Sequence, residues 1–369
     1  MKIAILNLEN DATNASSNTL SLGEATRLFS LAGHDILASF TANSNLAIPH
    51  ILASIYDLKP QAIIAIGNLE SFLVALRKDN PNINNIPLFE LRGICYAINK
   101  TLSLDFINTV AIPALNSKEK KTSTVLVYRT FGESLEKLQL LLTPYITNKA
   151  KIKFTFFKIS HLEYEIHIRY FNNAPIGVVE ETKRETVMLL KPYLYAMKSV
   201  ALNELVIELL VARGKTLSIA ESFTGGALAA KLIEVSGASI VIKEGIVSYS
   251  NQSKLNRLKV DSKIINNYGD VSIEVAYEMA AMLIAQSETD FVLATTGYAS
   301  DPPQNAKGKN TTKGIFFIAV GDSKDLHIFK HFLENATRSE IISHGVTLAL
   351  YSLYKKLIGP KFDEIVAKL

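Results

Sequence analysis

The chain has 369 residues, 48% of them hydrophobic and 20% charged, and its 39 basic and 35 acidic side chains leave a formal net charge of +4. This composition excludes disordered and fibrous classes and provides no concentrated positive field for a nucleic acid, while the length favours two or three units that each bury a core. The single cysteine, Cys95, excludes an internal disulfide framework and a multi-cysteine zinc site; beside Ile94 and Tyr96 it reads as a small buried apolar residue. The opening "MKIAILNL" is too short an apolar run for a signal sequence. No stretch reaches the roughly 18 uncharged apolar residues of a membrane span, so a cytoplasmic protein without membrane partners is expected.

In chain order, the first third alternates strand-like and helix-like segments: "KIAILNL", the periodic "SLGEATRLFSLAG" ending on Gly33, "HDILASF", a helix around 47–58, "AIIAIG", and a helix from Glu70. Such alternation predicts a parallel sheet with helices on both faces. The polar run "NSKEKKTST" is the linker candidate and places a boundary near 122. From 123 to 198 the order becomes strand, helix, two strands ("KIKFTFFKI" and "EYEIHIRYF") and helix, a small α+β unit. His167 alternates with Ile166 and Ile168, which predicts a solvent-facing strand position.

The last third, 199–369, opens with the helix "NELVIELLVARG", for which Asn203 is the candidate cap, Gly214 the C-terminal stop, and Leu205, Val206, Leu209 and Leu210 the apolar face. Strand 217–221, a helix over 225–235 stopped by Gly237, strand "KEGIVSYS", a short helix from Asn251 and a long helix opened by Ser272 follow. Strand "FVLATTG", the polar loop 299–313 with Lys307, Lys309 and Lys313, strands "GIFFIAVG" and "LHIFKHFL" and a helix from Thr337 complete an expected α/β/α sandwich.

Four clusters in this unit could carry chemistry. "ESFTGG" joins a strand to a helix, where free N–H groups can meet an anion; it lacks the lysine and Ser/Thr of a P-loop, so oxyanion or phosphate binding and a plain corner both remain open. "GASIVIKEGIVSYSNQSK" holds Ser239, Tyr249, Ser250 and Lys254, a set that suits a serine nucleophile with a lysine base. That role requires the lysine, ordinarily near pKa ~10.4, to lose its proton through burial or neighbouring positive charge. "ATTG" puts Thr295 and Thr296 at a strand end. "NATRSE" puts Arg338 in a helix's first turn, an unfavourable end for a cation that invites an anionic ligand, with a plain surface position the open alternative. His327 and His331 lie four apart on a strand, about 13 Å, too far to share one ion, and no metal is expected.

Taken together and in this order, "AESFTGG", "GAS…GIVSYSNQSK", "TTG" and the arginine-led last helix resemble the CinA (competence/damage-inducible protein A) family, most strongly over 200–358. The resemblance implies a nicotinamide mononucleotide (NMN) deamidase that yields nicotinate mononucleotide and ammonia, without a cofactor, in pyridine-nucleotide recycling. It implies Ser239 as the catalytic serine, Lys254 as its base and Tyr249 beside them. Ser222, Thr224, Gly225 and Gly226 match the glycine loop, with loop N–H groups as oxyanion donors. Thr296 matches the Thr-Gly turn, and Arg338 the residue that meets the substrate's 5′-phosphate. A homodimer is also implied. The chain departs from the family at Tyr298–Asp301, which replace Ile-Ala-Gly-Pro, at Lys313, one place later than the family's lysine, and at Ile342, which replaces a second arginine.

The resemblance extends faintly to 1–122, similar to molybdopterin-binding domains, and to 123–198, a KH-like middle domain. "IGNLESF" and "IPALNSK" lack that family's glycine loop and paired aspartates, which predicts a catalytically dead first domain. Two other functions stay open: an inactive nucleotide-binding or scaffold protein, and a DNA-processing partner. The latter is disfavoured by the absence of a basic stripe and of a Gly-x-x-Gly clamp.

Overall fold

The computed structural model describes residues 1–8, 20–42, 47–78, 83, 86–118, 123–147, 152–304, 306 and 312–359. They form two units, one of Met1–Phe157 with Tyr164–Lys198 and one of Lys158–Glu163 with Ser199–Leu369. Residues 119–122 of the polar run proposed as a linker, and Lys307 and Lys309, lie outside the described residues.

The first unit begins with β1 (Lys2–Leu8), α1 (Leu22–Leu31), β2 (Asp35–Ala42), α2 (Ile48–Asp57), β3 (Ala62–Gly67), α3 (Leu69–Arg77), β4 (Leu88–Leu91) and β5 (Ile94–Asn99). The sheet order is β2-β1-β3-β5-β4, parallel except for β4, an antiparallel edge that the alternation argument did not include. Its strands are continuously apolar because both faces are covered. Ala4, Leu6 and Leu8 pack with α2 and α3, while Ile3 and Ile5 pack with Phe29 of α1 and Leu115 of α4 (Ile112–Lys118). A π-helical turn, Phe106–Ala111, leads into α4.

A second sheet follows, built from β6 (Ser123–Phe131), α5 (Leu135–Thr147), β7 (Ile152–Ser160), β8 (Glu163–Phe171), α6 (Ile176–Leu190) and β9 (Leu194–Ala196), in the order β7-β8-β6-β9. Here the expectation for His167 fails: the ring is 1% exposed. Alternation implies a wet face only when one face of the sheet is free, and β8 is buried from Glu163 to Arg169. His167 is held by Ser30 Oγ at 2.9 Å and the buried Glu165 carboxylate at 2.7 Å, and Glu165 also pairs with Arg129 and Arg27 at 3.1 Å each.

The second unit continues with α7 (Leu202–Ala212), β10 (Leu217–Glu221), α8 (Ala227–Ile233), α9 (Ala238–Val241), β11 (Ile242–Val247), α10 (Asn251–Arg257), α11 (Ser262–Tyr268), α12 (Ile273–Gln286), β12 (Phe291–Gly297), β13 (Ile315–Gly321), β14 (Leu326–Phe332) and α13 (Arg338–Ile358). The sheet order β11-β10-β12-β13-β14 is parallel through β12 and antiparallel beyond it. Val275, Met279 and Leu283 of α12 cover one face over Ala220, Val292 and Phe317; α7, α8 and α13 lie on the other, completing an α/β/α sandwich.

Two details of α7 are corrected. Asn203 lies inside the helix, buried, with Nδ2 donating to the Lys231 carbonyl at 2.7 Å, and the cap is Ala201, whose N–H donates to the Glu204 carboxylate. The buried stripe is Leu202, Asn203, Val206, Ile207 and Leu210, displaced from the expected face.

Candidate active site

The carboxyl ends of the parallel strands β10, β11 and β12 open toward one edge of the second unit, the position where open α/β sheets place ligands. At the end of β10 the chain turns through Ser222, Phe223, Thr224 and two glycines into α8. Gly225 and Gly226 have φ of 61° and 99°, a conformation that penalises any side chain. At its glycine end the turn is no anion cradle, because the chain supplies its own anion there. Glu221, 1% exposed, accepts from the N–H groups of Gly226 (2.9 Å), Leu228 (3.1 Å) and Ala229 (2.8 Å). The first-turn donors of α8 are therefore satisfied by a buried carboxylate.

Across from this turn, Ser250 caps α10 by accepting from Ser253 N–H at 3.1 Å, and the helix carries Lys254 inward until it is 2% exposed. Lys254 Nζ donates to Ser222 Oγ at 3.0 Å. Burial pushes the ammonium down to about 8, a shift only partly opposed by the nearby Asp270 carboxylate. Near neutral pH a fraction of this lysine is a free amine within proton-transfer distance of a serine hydroxyl, the state a serine nucleophile requires.

A cleft of about 230 Å³ opens over this pair, and its wall includes Tyr249, Asp270, Tyr298 and Arg338. Tyr298 donates its phenol to Asp270 Oδ1 at 2.6 Å; burial, reinforced by that carboxylate, pushes the phenol's pKa up. The guanidinium of Arg338 donates to Ser300 Oγ at 2.8 Å and to Tyr249 OH at 2.9 Å, which accounts for a cation at the start of α13.

The residues expected from sequence divide sharply. Ser222, Lys254, Tyr249 and Arg338 meet at the cleft. Ser239 does not: it is exposed on α9, before β11, whereas Lys254 follows β11. The six-residue strand between them spans roughly 20 Å. Proximity in sequence is misleading here, since the strand carries the two residues to opposite ends of the sheet.

Thr224 and Thr296 are buried behind the cleft wall, Thr224 bonded to Thr295 Oγ1 at 2.8 Å and Thr296 to the Asp270 carbonyl at 2.9 Å. Gly225 and Gly226 N–H donate to the Ser222 carbonyl (3.1 Å) and to Glu221, so neither is available to a substrate. Glu221 and Asp270 escaped sequence reasoning. A glutamate closing a buried strand just before a glycine pair was the signal for the first; for Asp270, in "YGDVS", nothing local marked it.

No group of three or more His, Cys, Asp or Glu side chains suited to a metal occurs among the described residues. In the first unit a separate cleft of about 600 Å³ lies at the carboxyl end of β3, lined by Gly67, Asn68, Glu70, Arg77 and Lys100 among others.

The fold and the site define an α/β protein whose second unit holds a buried serine and lysine in hydrogen-bond contact at the carboxyl ends of its parallel strands. Residues 199–357 match the CinA C-terminal domain, and the chain belongs to the CinA family. A competence-damage inducible relative from Thermoanaerobacter pseudethanolicus is 31% identical over 253 residues, 68% of this chain and 60% of the relative. A CinA-like protein of Fusobacterium nucleatum is 43% identical over 142 residues, 38% of this chain and 33% of its own length. A solved CinA-superfamily structure from Klebsiella pneumoniae, 26% identical, covers 42% of this chain and 95% of its own, with a TM-score of 0.39. The chain spans about 60% of the length of the first curated relatives it matches.

Proposed function

We propose that the second unit is an amidohydrolase acting on the carboxamide of NMN, giving nicotinate mononucleotide and ammonia in pyridine-nucleotide recycling, with Ser222 rather than Ser239 as nucleophile. The observation that carries this reading is the 3.0 Å contact between Ser222 Oγ and a buried lysine whose pKa is lowered to about 8.

In this mechanism neutral Lys254 takes the Ser222 proton as Oγ attacks the carboxamide carbon. The resulting ammonium returns the proton to the nitrogen, the C–N bond breaks, ammonia departs and the acyl group remains on Ser222 as the nicotinoyl ester of the mononucleotide. A water deprotonated by Lys254 then attacks the ester, releasing the carboxylate and restoring the hydroxyl. The loop's N–H groups remain the oxyanion donors, but the pair that serves is that of Phe223 and Thr224, since those of Gly225, Gly226 and Ala227 are already bonded within the turn. Arg338, with Tyr249 beside it, meets the 5′-phosphate. The homodimer implied by the family resemblance and a first domain without catalysis belong to the same proposal.

Incubating the full chain with NMN and following ammonia together with the product by proton NMR tests it. Stoichiometric nicotinate mononucleotide is expected, and an unchanged NMN spectrum at high enzyme concentration would overturn it.

A further inference from the structure

Asp270 is a puzzling neighbour for a serine amidase. Its carboxylate is only partly buried and lines the same cleft as Ser222 and Lys254. It is also firmly placed: Tyr298 OH donates to Oδ1 at 2.6 Å, and Thr296 Oγ1 anchors the Asp270 main-chain carbonyl at 2.9 Å. Its other oxygen, Oδ2, takes no hydrogen bond from a described residue. It does not pair with Lys254, whose amine is bonded to Ser222.

A fixed negative charge here opposes the chemistry twice. It repels the oxyanion that forms when Ser222 attacks, and it favours the charged form of a lysine that must act as a base. Both penalties are offset when the bound substrate brings a positive charge to the carboxylate. The cleft also has an opposite pole, since Arg338 is held on its wall by Ser300 and Tyr249.

We propose that Asp270 is a specificity-determining residue that selects substrates carrying a cationic ring next to the scissile carboxamide, so that the cleft takes a zwitterion with its cation at Asp270 and its anion at Arg338. This deepens the amidohydrolase reading and rests on it. Tyr298 holds the carboxylate in place.

The test is calorimetric binding of NMN and of its 1,4-dihydro form, which has the same phosphate, sugar and carboxamide but an uncharged ring. It uses the full chain carrying Ser222→Ala, with and without Asp270→Asn. Ser222→Ala alone is expected to bind NMN at least about tenfold more tightly than the dihydro form. Adding Asp270→Asn is expected to abolish that preference by weakening NMN while leaving the dihydro form within about twofold.

An unaltered preference, or equal weakening of both ligands, would overturn the proposal. Asp270→Glu, which keeps the carboxylate charge and leaves Tyr298 in place, is expected to retain the preference and so guards against a folding defect in Asp270→Asn; loss of the preference in Asp270→Glu as well, with both variants folded, would count against charge recognition. Ammonia release from NMN by the unaltered chain is scored separately. Its absence alongside intact charge discrimination would remove the amidase and leave the recognition role, whereas failure of both ligands to bind would overturn both.

Discussion

At the residue scale, Lys254 couples packing to chemistry. Its amine is buried far enough for the charged form to be disfavoured, yet it ends on a hydroxyl that can give up a proton. Because the pKa is depressed to about 8, kcat/KM for NMN should rise roughly tenfold per pH unit below that value and level off above it. A pH profile flat between 6 and 9 would remove Lys254 as the base. The same depression links stability to pH. Between about 8 and 10.5 only the unfolded chain keeps the proton, so the folded unit gains stability as pH rises through that window. Ser222 and Lys254 were both visible in the sequence as chemically suited residues, but their pairing was not. Ser239 is nearer to Lys254 along the chain and Ser222 is 32 residues away, and only the parallel register of β10 and β11 decides which serine arrives.

At the scale of elements, the turn between β10 and α8 is held by Glu221, whose carboxylate takes three N–H groups that a helix start ordinarily leaves open. Glu221→Ala would leave those donors unpaired in a buried site and is expected to cost about 2–3 kcal/mol. Urea unfolding checks the value; a loss under about 0.5 kcal/mol would mean that the carboxylate is not what holds the turn. Next to it, Phe223 packs so closely on α13 that a Cβ at Gly345 would fall 2.4 Å from its ring, fixing the residue that follows Ser222. Periodicity and turn chemistry made the strands and long helices legible: β10, β12, β13, α12 with its Ser272 cap and α13 with its Thr337 cap all lie where the pattern placed them. What escaped were features that depend on tertiary partners. Asn203 has cap chemistry but spends its amide on Lys231, and His167 has the alternation of a wet strand but faces Ser30 and Glu165.

At the scale of the whole molecule, membership of the CinA family and an α/β architecture organised around three sheets agree with the order of motifs along the chain. No helix among the described residues is long and apolar enough to cross a membrane. The near-balance of 39 basic against 35 acidic residues provides no concentrated positive field, and we propose that the chain has no nucleic-acid partner. Fluorescence anisotropy with duplex and single-stranded DNA should therefore show no sub-micromolar binding with a steep salt dependence, and finding it would revive a DNA-processing role. The most direct test of the proposed chemistry compares ammonia release from NMN by Ser222→Ala and Ser239→Ala. Ser222→Ala should fall to background, a loss of roughly a thousandfold or more, and Ser239→Ala should stay within a few-fold of the unaltered chain. Retained turnover in Ser222→Ala together with its loss in Ser239→Ala would contradict the assignment of the nucleophile.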